Sequence, residues 1–438
     1  MFYSPKHEET GRMWDTWLYW HNGTYYLYCL ASRPDCQWDN ISMATSPDGV
    51  HWTERGPVLK KEPRVTWMGT GSTWKSPDFA KDGKFQINFS WWIGPRQTIW
   101  FAKSSDLLHW TPLGEKYEFV QDERWYQQNG RWDCIWTIPR PGGGLYGYWT
   151  ASPKAETGGR FGFGETLDGV TWKALPPPKV EGAEKGEVGA IERIGDRYVM
   201  MYGQQSMMVA LLADRPEGPF RPAKKNFRLL SGHTYFARFF PTPGGLLVNH
   251  HSIARRGDVY LGLLKTAVTD AEGTLRLGWW KGNDKLKEGA RVVTPGKAAV
   301  QGNSSIAMIP ESLKTDDGII LEGHLTLPEG KDGKPVGFFL PCTPSDGSAI
   351  LVHAGGRCEL GGMKNDGTEF KAEKTVDREM DFGLAPAFRL CLKRSLLEFY
   401  LNDILIECFS LPLRSTGRIG LISGDVPDAV RNLVVWSL

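Results

Sequence analysis

One motif recurs along this chain and constrains its fold more than any other feature. Ala44-Thr-Ser-Pro-Asp-Gly-Val-His-Trp52 returns as FAKSSDLLHW ending at Trp110, FGFGETLDGVTW ending at Trp172 and LLADRPEGPF ending at Phe220, so the copies lie 58, 62 and 48 residues apart. Each copy reads as a strand, a tight turn carrying Gly or a polar substitute, and an aromatic residue that opens the next strand. Such an interval suits a four-stranded antiparallel sheet with its turns, and sheets repeated radially at this spacing make a propeller.

The residues between the copies fit that reading. DTWLYWH and TYYLYCLA flank Asn22-Gly23, a dipeptide that accepts positive φ at both positions, and so predict the hairpin of a first blade. FQINFSWW after Asp82-Gly83 belongs to a second blade, DCIWTIPRP and LYGYWTAS around Gly142-Gly143-Gly144 to a third, and EVGAIERI and RYVMMYG around Gly195-Asp196 to a fourth. TYFARFFPTPGG, LLVNHHS and VYLGLLKT make a less regular fifth, and helical periodicity is nearly absent.

With 438 residues, two domains are expected, and composition divides them: 18 of the 19 Trp fall at or before Trp280. The reading is therefore all-β, a five-bladed β-propeller over 1–288 as the catalytic domain and a β-sandwich over 289–438 as an accessory domain. Residues 282–300, charged and rich in turn formers, form the linker, and eight or so short alternating runs follow it.

A net charge of +2, from 52 basic and 50 acidic residues without long runs of either sign, offers no electrostatic footprint for nucleic acid or an anionic membrane. No apolar segment approaches the roughly 18 residues that span a bilayer. Seven Cys without metal-ligand spacing read as buried thiols in a reducing compartment. The expected location is cytoplasmic, or secreted or periplasmic if a signal peptide has been removed. The number of subunits is not legible.

The chemistry should sit where the innermost strands of the blades converge. Asp15 and Glu187 each lie eight residues before the hairpin Gly of their blades, at Gly23 and Gly195, and Asp133 lies nine before Gly142. Three acidic residues thus share one radial position, although carboxylates at the start of buried strands are unfavourable and repel one another. Paired carboxylates at a closed site are the equipment for cleaving a glycosidic bond, one as acid and one as base or nucleophile. Each taken alone could simply bond turn amides or pair with Arg131 or Arg193.

With these residues in place the first domain resembles the five-bladed glycosidases, the β-fructofuranosidase-like glycoside hydrolase family 32 and the arabinanase and β-xylosidase-like family 43. Met13-Trp14-Asp15-Thr16 keeps the Trp and Asp of the family 32 stretch W-x-N-D-P-N-G, without its Asn, Pro and Gly. Trp38 to Trp52 echoes W-G-H-A-x-S-x-D-L-x-H-W. Arg131-Trp132-Asp133 stands for R-D-P and Glu187-Val188 for E-C. The resemblance implies an acid role for Glu187 and stabilisation of the transition state by Asp133. Asp15 becomes the nucleophile on the family 32 pattern or the general base on that of family 43, and retention is the preferred outcome. It also implies an oligosaccharide or glycoside substrate and an exo-acting removal of a terminal fructosyl, arabinosyl or other pentosyl unit.

Trp14, Trp74, Trp92 and Trp132 flank the funnel and could stack on sugar faces or pack between blades. Arg131 could bind substrate hydroxyls or depress the pKa of Asp133. His233 opens the innermost strand of the fifth blade, where family 43 has a channel histidine near a water or calcium ion. No cofactor is required; a structural calcium in the channel is allowed, and a satisfied buried His is the preferred reading. His250 and His251 are weaker candidates, and Asp78 and Glu192 lie out of phase. Two competing functions are a sugar-binding propeller without catalysis and a glycosyl transfer enzyme, the latter requiring a phosphate-binding basic cluster that the sequence does not show.

Overall fold

The computed structural model describes residues 3–438 except 256, 297–298, 302–303, 331, 365–366, 368 and 427. Two residues of the expected linker, 297 and 298, therefore lie outside the described residues. Two compact units divide the chain at Leu275/Arg276, ahead of the boundary read from composition; the first comprises 3–251 and 259–275, the second 252–258 and 276–438.

The first unit is a succession of antiparallel sheets, each built from consecutive strands. β1 to β4 (Arg12–His21, Thr24–Arg33, Cys36–Ser46, Thr53–Lys60) form the first. β5 and β6 (Trp67–Gly69, Thr73–Lys75) both pair with β7 (Phe85–Ile93), which continues to β8 (Arg96–Ser104) and β9 (Thr111–Pro112). β10 to β13 (Trp132–Pro139, Leu145–Ala151, Gly162–Thr166, Lys173–Leu175) form the third. The fourth holds β14 to β18 (Glu187–Ile194, Arg197–Gln204, Met207–Ala213, Arg221–Pro222, Arg228–Leu230). β19 (Thr234–Thr242) and β20 (Gly245–Ile253) continue to β22 (Lys265–Thr269), with β21 (Val259–Leu261) also on β20. The one α-helix among the described residues is the single turn Phe79–Asp82.

The leading strands close a ring. β10 packs on β7, β14 on β10, β19 on β14, and β1 on both β19 and β6. The recurrent motif explains why each sheet ends as it does, because three copies fold the same turn. The hydroxyls of Ser46, Ser104 and Thr166 accept the N–H groups of Gly49, Leu107 and Gly169 at 2.8–2.9 Å. The carboxylates of Asp48, Asp106 and Asp168 accept the N–H two and three residues on. Of the aromatics that close the four copies, Trp110 and Phe220 are buried and Trp52 and Trp172 are half-buried.

In the second unit two antiparallel sheets contribute to one apolar core. Leu321, Leu390 and Phe399 come from the sheet ordered Ile404–Ser410, Leu396–Leu401, Ala387–Lys393, Ile319–Leu325, Val430–Ser437, Glu288–Val292. Phe338, Ile350 and Leu421 come from the sheet that contains Val336–Pro341, Asp346–Val352 and Gly420–Ile422. No helix among the described residues is long and apolar enough to cross a membrane.

Candidate active site

The three acidic residues sit near the beginnings of leading strands, and each strand carries a bulge at or just after its acidic residue. In β1 the ladder skips from Trp14 to Trp17, in β10 from Asp133 to Trp136, and in β14 from Val188 to Ala190. The bulged residues Asp15 and Cys134 take left-handed backbone conformations, φ 41° and 46°, as does Phe236 in β19, φ 42°. Such angles strain a side-chain-bearing residue and re-aim it. Counting from the bulge corrects the spacing argument: Asp15 is the bulged residue, Asp133 precedes its bulge and Glu187 lies two residues before Gly189. Equal distance from the hairpin turn is not equal phase, because the three residues stand at different distances from the inserted residue.

Arg131 joins two of the carboxylates. Its Nη2 donates to Glu187 Oε1 at 2.8 Å and to Asp133 Oδ2 at 3.2 Å. The other oxygens are held as well. Ser90 Oγ donates to Asp133 Oδ1 at 2.7 Å and itself accepts from Gln97 Nε2 at 2.9 Å. Tyr235 Oη donates to Glu187 Oε2 at 2.7 Å. Glu187 thus stands among polar donors and not in the apolar surroundings that its strand neighbours suggested; Val188, Ala190 and Ile191 are buried, but the carboxylate turns away from them.

Asp15 differs. Its Oδ1 is sealed from solvent with no hydrogen-bond partner, and its carbonyl accepts from Thr70 Oγ1 at 3.2 Å. Burial raises its pKa well above the ordinary carboxylate value, and the charge of Glu187 adds to the rise, against Arg238, which lowers it; Asp133 adds a further rise and Arg131 opposes it. Asp133 is also raised, first by burial, with Arg131 and the Ser90 hydroxyl pulling it back. Burial and neighbouring negative charge thus favour the protonated forms of Asp15 and Asp133 more than water would.

Two small residues make the arrangement fit. Gly69 stands opposite Ser90, and a Cβ there would lie 2.6 Å from Asp133 Oδ1. Gly203 stands opposite Glu187, and a Cβ there would lie 2.5 Å from Tyr235 Oη.

Of the aromatic candidates, Trp14 borders the cluster: half-buried, it packs on His251 at 4.4 Å and on Trp38 at 6.0 Å, with Arg12 over its ring at 5.1 Å. Trp92 is half-buried and stacks on Trp67. Trp74 and Trp132, candidates for either sugar stacking or packing between blades, are core residues. Trp74 is buried against Phe101 and Trp172 with its Nε1 donating to Gln86, and Trp132 is enclosed by Phe119, Tyr126 and Trp149. Alternation along the strand turns Trp132 away from the face that carries Asp133. His233 lies in the turn before β19, where Thr234 N–H bonds the Ser231 carbonyl. Asp78 precedes the helical turn at the surface, and Glu192, five residues beyond Glu187, has its pKa pushed up to about 7 by burial.

Tyr235, Ser90, Gln97 and Arg238 were not singled out, and His251 was ranked only as a weaker candidate. Arg238 did leave a signal, as the one charge in the apolar run TYFARFFPT. It is fully buried, with its guanidinium over Phe236 at 4.5 Å and Trp136 at 5.6 Å. His251 is buried with both ring nitrogens lacking hydrogen-bond partners; burial and the charge of Arg12 push its pKa down to about 3, so the ring is neutral at physiological pH. Ser90 and Gln97 left none, because each stands in a run that reads as an ordinary strand.

No family model and no curated protein matches the chain. Solved structures do. A sucrose-6-phosphate hydrolase from Lactobacillus gasseri is similar over 98% of this chain and 91% of its own, with TM-score 0.72 and 14% identity. A family 32 β-fructofuranosidase of Bombyx mori is similar over 98% and 92%, with TM-score 0.71 and 12% identity. An exo-inulinase from Aspergillus awamori is similar over 100% and 97%, with TM-score 0.67 and 12% identity. At this identity the likeness is one of fold: the resemblance to family 32 seen in short motifs extends to the backbone of nearly the whole chain.

Proposed function

We propose that the protein is an exo-acting glycoside hydrolase that removes a terminal furanosyl unit, fructosyl or arabinosyl, from a neutral oligosaccharide. The carrying observation is the single Arg131 nitrogen bonded to both Asp133 and Glu187, with half-buried Asp15, one carboxyl oxygen sealed from solvent, close enough to feel the charge of both. Three carboxylates are not held together against their mutual repulsion without a use for their charge, and an oxocarbenium-like transition state supplies one. Structural relatives include fructofuranosidases solved with sucrose and with fructosylnystose, which supports a fructoside as the first substrate to try.

In this reading the ring of leading strands is the channel of a five-bladed propeller and the second unit is an accessory β-sandwich. Glu187 protonates the leaving oxygen, Asp15 attacks the anomeric carbon from the opposite face, and Asp133 stabilises the developing positive charge. Ser90 and Gln97 orient Asp133, and Tyr235 and Arg131 orient Glu187.

A screen against fructans, aryl furanosides and aryl pyranosides, followed by NMR, gives sugar and stereochemistry together; retention is expected. The roles are separated by leaving group. Glu187→Gln is expected to lower kcat/KM on natural glycosides by about a hundredfold or more while sparing aryl glycosides with good leaving groups, because general acid catalysis contributes about 10²–10⁴-fold. Asp15→Asn is expected to abolish both. Equal losses on both substrate types for Glu187→Gln, or activity in Asp15→Asn, overturn the assignment.

A further inference from the structure

β19 carries one charge, Arg238, and the fold seals it completely. Among the described residues none of its three guanidinium nitrogens has a hydrogen-bond partner. The guanidinium lies against the rings of Phe236 at 4.5 Å and Trp136 at 5.6 Å. The thiol of Cys134 faces it too, but a thiol is a weak acceptor, and burial pushes this one up to a pKa of about 12 and so keeps it neutral. Enclosure of this kind is among the costliest placements a cation can have, because nothing replaces the water that it has lost. A charge held at such a cost answers to another charge nearby.

The strand register places Arg238 just inside the carboxylates. On β10, Asp133 stands opposite Thr150 and Trp136 opposite Tyr148, so the bulge brings Asp133 and Trp136 to one face. Arg238 therefore lies over a residue one same-face step, about 6.6 Å, further along the strand than Asp133. β19 also packs on β1, whose bulged residue is Asp15. The other two acids have donors of their own: Arg131 and the Ser90 hydroxyl serve Asp133, and Arg131 and Tyr235 serve Glu187. The sealed Oδ1 of Asp15 has none among the described residues, and Arg238 is the cation that acts on Asp15 most strongly.

We propose that Arg238 is a positioning residue for Asp15, a buried counter-ion that holds it as a carboxylate at neutral pH. The use of that carboxylate, nucleophilic attack, rests on the hydrolase reading; the pairing of the two charges does not. Asp15 is faced by Glu187 on β14, by Asp133 on β10 and Arg131 ahead of it, and by Arg238 and the neutral phenol of Tyr235 on β19. Burial and the charge of Glu187 push its ionisation to higher pH and Arg238 opposes them, while Asp133 and Arg131 add weaker effects of opposite sign. Without the guanidinium, Asp15 takes up its proton at higher pH.

The test is the pH profile of kcat/KM, whose acid limb reports the ionisation of Asp15 in the free enzyme. Arg238→Met keeps a long side chain without the charge, and Arg238→Lys keeps the charge. The limb is expected to move up by about one pH unit or more in Arg238→Met, as loss of a close opposite charge requires, and by less than half of that in Arg238→Lys. An equal loss of activity at every pH with the limb in place, or the same movement in both variants, overturns the proposal. Two further readings need no activity. At pH 8, Asp15→Asn is expected to raise the melting temperature of Arg238→Met by at least about 3 °C more than it raises that of the wild type, and equal rises overturn the pairing. In the wild type, carbon-13 NMR of the aspartate carboxyls, with Asp15 assigned as the signal missing from Asp15→Asn, should show Asp15 ionised at pH 7. A protonated Asp15 there overturns the proposal even if Arg238→Met does not fold. If the wild type cleaves no glycoside, the hydrolase reading fails by itself, and melting and NMR decide the counter-ion.

Discussion

At the scale of single residues, Asp15 carries the largest conflict between stability and use. Its folded pKa is raised first by burial. The stability that this group contributes is therefore fully present below its unfolded pKa, roughly 3.9, and is lost as pH rises through the folded value. Asp15→Asn removes that loss while keeping the size of the side chain, and Asn tolerates the left-handed backbone at φ 41° at least as well as Asp. The inactive variant is thus expected to melt above the wild type at pH 7, by about 2–4 °C for each kcal/mol in a unit of this size, with the gap closing as pH falls below about 4. Melting curves across that window check it; a gap that does not depend on pH would show that Asp15 is not burdened by its charge. Of the residues around it, the acidic three were legible because a carboxylate is conspicuous in an apolar run. Tyr235 and Ser90 were not, because in a strand rich in polar and aromatic residues nothing in the sequence says which side chain meets a carboxylate from another sheet.

At the scale of elements, the turns were legible and the bulges were not. A turn is local chemistry: Ser or Thr, Asp and Gly at fixed spacing bond their own backbone, so the repeated SPDG, SSD and LDG signals carried over directly into identical hydrogen-bond patterns. A bulge is a relation between two strands, and the single inserted residues in β1, β10 and β14 leave no composition signal unless a Gly marks them, as Gly189 alone does. That difference is why the strand runs and their turns could be read from the sequence while the position of each acidic residue relative to its bulge could not. Backbone space is equally hidden. The ladder places Gly203 opposite Glu187, and the absent side chain is what admits the Tyr235 hydroxyl. Gly203→Ala should push that hydroxyl aside and loosen Glu187, lowering kcat/KM by about tenfold to a hundredfold, the range that displacement by about 1 Å produces, with at most about 1–3 kcal/mol of lost stability. Gly114→Ala, where a Cβ meets nothing within 4 Å at a negative φ, is the matched control. Unchanged activity in Gly203→Ala would mean that the Tyr235 bond does not position Glu187.

At the scale of the whole molecule, charge balance speaks to the substrate. The chain is nearly neutral, at +2, and carries no concentration of one sign in its sequence. Near the carboxylates, Arg131 is engaged by two of them and Arg238 is sealed beneath the surface, while Arg12, on the strand that carries Asp15, is exposed over the ring of Trp14. A neutral sugar gains nothing from long-range attraction, so kcat/KM for a neutral disaccharide should change by less than about twofold between roughly 0.05 and 0.5 M NaCl, where the Debye length falls severalfold. An anionic version of the same disaccharide, phosphorylated on a primary hydroxyl, faces three carboxylates, with Arg131 already committed to two of them and Arg238 buried. It should be cleaved at least about tenfold less efficiently at low salt, with the penalty shrinking as salt is added, the sign that repulsion and not poor shape is the cause. The reverse result, a preference for the phosphorylated sugar that salt abolishes, would make Arg12 the phosphate ligand, and Arg12→Ala would then have to erase the preference. Steady-state kinetics on the two disaccharides at both salt concentrations decide between these outcomes.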